Sequence, residues 1–122
     1  MVVVVFVVSR ALAYALGLRF DDRLTWITDT AYDEASSAFA AGSQMLAHEA
    51  WFTDSDPRNP DIHSSASEAA RTGAEAGIER LLLIHLPPFG TPLDQLLLEA
   101  QAHVRHAVLA NDGADLSELL LG

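Results

Sequence analysis

A chain of 122 residues, half of them hydrophobic and a fifth charged, has the material for one folded domain and not for two. Seven arginines, no lysine and 17 acidic residues give a net charge of −10, which repels phosphate backbones and excludes a broad nucleic-acid-coating surface, while a single phosphodiester held at a metal stays open. Cysteine is absent, so disulfides, cysteine zinc sites, iron–sulfur clusters and thiol catalysis are excluded.

Met1 to Val8 is an unbroken apolar run, MVVVVFVV, far short of the ~20 apolar residues of a membrane helix. It lacks the basic region and small-residue cleavage site of a signal peptide, which sets the expectation of a cytoplasmic protein with no membrane partner. Its β-branched residues predict a buried strand. A buried strand wants a neighbour on each side, a first hint that sequence belongs upstream. Ala11 to Phe20 continues as strand, with Tyr14, Leu16, Leu18 and Phe20 on one alternating face. Asp21, Asp22 and Arg23 form a polar turn, and Leu24 to Thr28 is a short strand that delivers Asp29.

Asp33 to Ala41 is alanine-rich and reads as a helix stopped by Gly42. Gln44 to Ala47 is a short strand ending in His48 and Glu49. Trp51 to Ile62, with two prolines and four Asp or Asn turn formers, is a loop. Ser64 or Ser65 caps a helix running to about Ala76 before Gly77, and Glu68 lies three residues after Ser65 as a capping box requires. Arg80 to Ile84 is a buried strand that delivers His85. Pro92 opens a helix predicted to reach about His106, Ala107 to Ala110 is a last strand, Asn111-Asp112-Gly113 is a turn, and a weakly amphipathic helix follows from Ala114. Strands alternating with helices in the second half predict βα units and a mainly parallel sheet, whose ligands gather at the carboxyl ends of the strands.

The chemistry-bearing residues fall there. Asp29, His48 with Glu49, and His85 sit at or just beyond predicted strand ends, and His63 sits at a loop mouth before a helix. Taken one at a time, each also has a structural reading. Asp29 fits a turn or a helix cap, His48–Glu49 a surface pair, His63 a position before a capped helix, and His85 a satisfied structural histidine. His103 and His106, one predicted helical turn apart, fit a solvated helix face. The joint pattern points further. Asp and His suit zinc or manganese, and Glu beside His suits proton transfer to a leaving group.

In order and spacing these residues resemble the second half of the metallo-β-lactamase-fold hydrolases, in particular the ribonuclease Z and phosphodiesterase-like branch, over about residues 11–113. Thr28-Asp29-Thr30 matches that branch's Gly-Asp-Thr, with Thr28 for Gly. His48-Glu49-Ala50 matches His-Glu-Ala-Thr, with Trp51 for Thr. His63-Ser64 matches His-Ser-Thr, with Ser65 for Thr. His85 matches a histidine after an apolar strand, followed here by Leu86-Pro87-Pro88-Phe89 rather than Ser-Pro-Arg-Tyr. The resemblance implies an α/β fold, half of an αββα sandwich with a mixed sheet and flanking helices. It implies metal-assisted hydrolysis, most often of a phosphodiester. Asp29 and His85 are the implied metal residues, with Asp29 bridging two ions of zinc or manganese; His48, Glu49 and His63 are the implied catalytic residues, Glu49 and His63 forming the relay.

The branch's main ligand cluster, His-x-His-x-Asp-His, is absent; the first histidine of the chain is His48. Two ligands do not close a tetrahedral site. The expectation is therefore one domain over residues 1–122, the carboxy-terminal half of a larger domain. Alone, such a half should bind metal weakly and be inactive, and it should partner an amino-terminal half or a second copy of itself through an exposed sheet edge. The alternatives are a non-catalytic remnant and an unrelated partner-binding α/β module.

Overall fold

A computed structural model describes residues 1–10, 13–57, 62–88 and 90–117. Six strands form one sheet in sequential order: β1 (Val3–Arg10), β2 (Ala13–Phe20), β3 (Leu24–Ile27), β4 (Met45–Glu49), β5 (Arg80–Ile84) and β6 (His106–Leu109). β1, β2 and β3 pair antiparallel, and β3 through β6 pair parallel. The parallel pairs are joined through α1 (Glu34–Ala40), α2 (Ala66–Glu75) and α3 (Leu93–Gln101). This is the mixed α/β sheet expected of half an αββα sandwich.

Local chemistry sets the helix starts. The Asp33 carboxylate accepts from the Ala35 amide at 2.8 Å and caps α1. Ser65 caps α2 in a complete capping box with Glu68, each side chain accepting from the other's backbone N–H. The far end of α1 is closed from the sheet: the Arg19 guanidinium on β2 donates to the carbonyls of Phe39 at 2.8 Å and Ala41 at 2.7 Å. The helices cover one face of the sheet. Ile27, Leu46, Leu81 and Leu83 meet Ala40, Ala66, Ala69, Ala70, Leu96 and Ala100 there. Alanines on the helices let the axes lie close, and Gly73 goes further, since a Cβ there would stand 3.3 Å from Val104. On the opposite face Met45, Ala47, Leu82 and Ile84 form a smaller cluster with Leu24, Trp26, Ala110 and Leu116.

Several expectations need correction. β1 is an edge strand rather than a buried one. Among the described residues it pairs only with β2, and Val3, Val4 and Val5 are 45–59 % exposed. On β2 the buried positions are Ala15 and Gly17, on the face opposite Leu16, which is 52 % exposed. α3 ends at Gln101, short of His106, because Val104 turns inward beside the core; its amide and that of His103 both bond the Ala100 carbonyl at 3.0 Å. His103 therefore lies in a turn and His106 opens β6, so the two do not share a helical turn. Residues 11–12 of the second predicted strand, 58–61 of the loop, Phe89, and most of the tail helix lie outside the described residues. No helix among the described residues is long and apolar enough to cross a membrane.

Candidate functional site

The parallel strands end side by side, so the residues that leave them are neighbours. Asp29 lies two residues past β3 and His85 immediately past β5, and both hold left-handed backbone, with φ of 57° and 48°. Such geometry is uncommon for residues with a Cβ and costs on the order of 1–2 kcal/mol, less for aspartate. These turns accompany a direct contact: His85 Nδ1 lies 3.1 Å from Asp29 Oδ1, with both side chains partly open to solvent.

Glu49 ends β4, the strand between them, and is fully buried. One carboxylate oxygen, Oε1, accepts from the Thr30 amide at 2.6 Å. The other, Oε2, stands 2.8 Å from His63 Nδ1 and 3.9 Å from His85 Nδ1. Burial pushes the Glu49 carboxyl up to about 8; the Thr30 amide opposes this and the charge of Asp29 adds to it. Burial lowers the His63 imidazole in turn, and the neighbouring His85 lowers it further. A single proton on the Glu49–His63 contact satisfies both groups.

His63 arrives from the segment ahead of α2. Two ties hold that segment: the Ser64 hydroxyl donates to the Thr30 carbonyl at 2.6 Å, and the Trp51 amide donates to the Ser64 carbonyl at 2.9 Å. Phe52 and Ser65 form a parallel bridge alongside. The Trp51 ring packs against both histidines, with centroids 5.1 Å from His63 and 4.8 Å from His85, and the two imidazoles are 5.4 Å apart.

Asp29, Glu49, His63 and His85 thus meet at one edge of the sheet. His48 does not join them. Successive residues on a strand face opposite ways, so with Glu49 in the cluster His48 lies on the other face, shared with Leu46 under the helices. It is 1 % exposed, its Nδ1 contacts the Glu49 carbonyl oxygen at 2.9 Å, and burial lowers its pKa to about 4. Three members of the site were not among the expected residues: Thr30, Ser64 and Trp51. Thr30 and Ser64 are the residues after Asp29 and His63, and Trp51 is a departure from the motif that carried His48 and Glu49.

The donor set suits a divalent ion. Among the described residues, Asp29, His63 and His85 each offer an atom within 4.8 Å of the others. One carboxylate and two imidazoles are the ligand types of catalytic zinc sites.

Comparison with known proteins bears on the fold and the family. The chain is 42 % identical over 96 residues to ribonuclease Z of Prochlorococcus marinus (strain MIT 9303), a stretch that is 73 % of this chain and 30 % of that protein. It therefore spans about a third of the length of such curated relatives. Its fold matches the metallo-beta-lactamase fold protein YhfI of Bacillus subtilis with a TM-score of 0.74 and 28 % identity, over 92 % of this chain and 47 % of that one. Human tRNase Z, short form, matches in fold with a TM-score of 0.63 at 18 % identity, over 92 % of this chain and 41 % of that one. No protein-family model matches. With the strand-end carboxylates and imidazoles in the order its motifs require, the chain belongs to the metallo-β-lactamase-fold hydrolase superfamily and spans about half of that fold.

Proposed function

We propose that this chain contributes the carboxy-terminal part of the active site of a metal-dependent phosphodiesterase of the ribonuclease Z type, working in the cytoplasm. The observation that carries the reading is the meeting of Asp29, Glu49, His63 and His85 at the carboxyl ends of adjacent parallel strands. Asp29 and His85 would hold the metal, zinc or manganese. A divalent ion bound there brings a more acidic water and neutralises phosphoryl charge.

The chain's own residues supply the rest. Thr30 fixes one oxygen of Glu49, and the other fixes Nδ1 of His63. With its carboxyl protonated by burial, Glu49 would donate to Nδ1, so His63 carries its own proton on Nε2, from which it would pass to the leaving oxygen as the Glu49 proton moves onto Nδ1. Proton transfer of this kind is worth ~10²–10⁴-fold, far less than phosphodiester hydrolysis requires. Residues 1–122, read as one domain, therefore act only with an amino-terminal half bearing His-x-His-x-Asp-His, and a second copy of the chain is the other candidate partner at the exposed β1 edge.

Turnover of a chromogenic phosphodiester tests this, measured with zinc or manganese for the chain alone and mixed with such a half. The expected result is none alone, turnover in the mixture, and its loss in Asp29→Ala or His85→Ala. Turnover by the isolated chain that survives Asp29→Ala overturns the reading.

A further inference from the structure

We infer that Trp51 is a positioning residue that holds the His63 and His85 imidazoles in register with Asp29. The inference rests on the functional reading above and names a residue that reading did not use.

His85 has little else to hold it. Its side chain is 40 % exposed, and its near polar contact is Asp29, itself 58 % exposed. A polar contact that open to water fixes a ring poorly. The indole supplies what the pair lacks. It lies face to face with His63, 24° from parallel, and tilted 32° against His85, so one rigid surface contacts both rings. Phe52 adds an edge contact to His63 from the same segment, with centroids 6.2 Å apart.

The indole is itself anchored. The Trp51 backbone amide donates to the Ser64 carbonyl at 2.9 Å, and the adjacent Phe52–Ser65 bridge ties the segment to the start of α2. Residue 51 also directly follows Ala50, whose amide bonds the Ile84 carbonyl at 3.0 Å, one residue before His85. Trp51 is thus bonded through its own amide to the residue after His63, and its chain neighbour Ala50 is bonded to the residue before His85. A threonine there, as in the motif this segment resembles, offers no surface of that size. Outer contacts that orient metal-binding imidazoles change metal affinity by about 10–100-fold when removed.

The test uses the whole chain, with Trp51→Leu and Trp51→Phe as variants. The imidazole C–H resonances of His63 and His85 are recorded metal-free, at a pH where both rings are neutral, and zinc affinity is measured by calorimetry. In Trp51→Leu both histidines should lose the ring-current displacement that the indole imposes, while buried His48, on the opposite face of β4, keeps its resonance. Zinc should bind about tenfold or more weakly. Trp51→Phe, which restores an aromatic face, should recover part of both effects, and it carries the test alone if the leucine variant unfolds. Unmoved His63 and His85 resonances, with unchanged zinc affinity, overturn the inference. Failure of the unsubstituted chain to bind zinc at all counts against the metal reading instead, and the resonances still decide the role of Trp51.

Discussion

Ser64 donates its hydroxyl to the carbonyl oxygen of Thr30 across 2.6 Å, and both residues are buried. The Thr30 amide meanwhile donates to Glu49. One peptide segment is therefore gripped from both sides directly after Asp29, which fixes the turn that Asp29 makes. Ser64→Ala leaves the Thr30 carbonyl without this partner. We expect a loss of about 1–3 kcal/mol in urea unfolding; a change within a few tenths would show that the grip contributes nothing.

Glu49 predicts a pH dependence with a definite sign. Its carboxyl titrates near 8 when folded, against an ordinary value of 4.5. Between these values the folded state binds the extra proton, so this group's contribution to stability is full below 4.5 and is lost as pH rises through about 8. Glu49→Gln, which cannot titrate, should gain stability relative to the unsubstituted chain as pH rises across that window, in chelator and by chemical denaturation. A constant difference between the two would contradict the burial account.

His48 acts in the opposite sense. Its folded value of about 4 lies below the ordinary 6.5, so the unfolded state binds the proton first as pH falls. Its contribution is full above 6.5 and is lost by about pH 4, on the order of a few kcal/mol in all. His48→Leu should flatten the acid limb of the stability curve. An unchanged acid limb would mean that other groups set it.

Arg19 predicts a local loss. Its guanidinium donates to two carbonyls at the end of α1 and to Asp22 at 2.9 Å. Arg19→Met keeps much of the stem and removes the donors. Hydrogen bonds from a charged group to one partly buried and one exposed carbonyl suggest a cost of about 1–2 kcal/mol, with hydrogen exchange fastest at the α1 end. Uniform exchange across the chain would argue against a cap.

What the sequence revealed depended on whether the signal was local. β5 carries the same bounds in sequence and structure, Arg80–Ile84, because an apolar run bracketed by charge has one reading. The Ser65–Glu68 capping box was legible for the same reason: it is complete within four residues. Phase and burial were not. The pair His48-Glu49 contains one residue for each face of β4, and only the neighbouring strands decide which faces Asp29. The exposure of Val3–Val5 follows from β1 standing last in the sheet order, and the end of α3 from the pull of Val104 into the core. The four site residues were visible through their motifs, whereas Trp51 matters through ring contacts that no spacing rule encodes.

The left-handed backbone at Asp29 and His85 sets folding against chemistry at the same two positions. Glycine takes that conformation without strain, so Asp29→Gly and His85→Gly relieve the fold while deleting the carboxylate and the imidazole. Loss of these groups then carries a thermodynamic reward, where most substitutions carry a penalty. A lineage released from selection on this site would drift toward glycine there and become sturdier as it lost its chemistry. The backbone at these two positions thus favours the very residue that would empty the site.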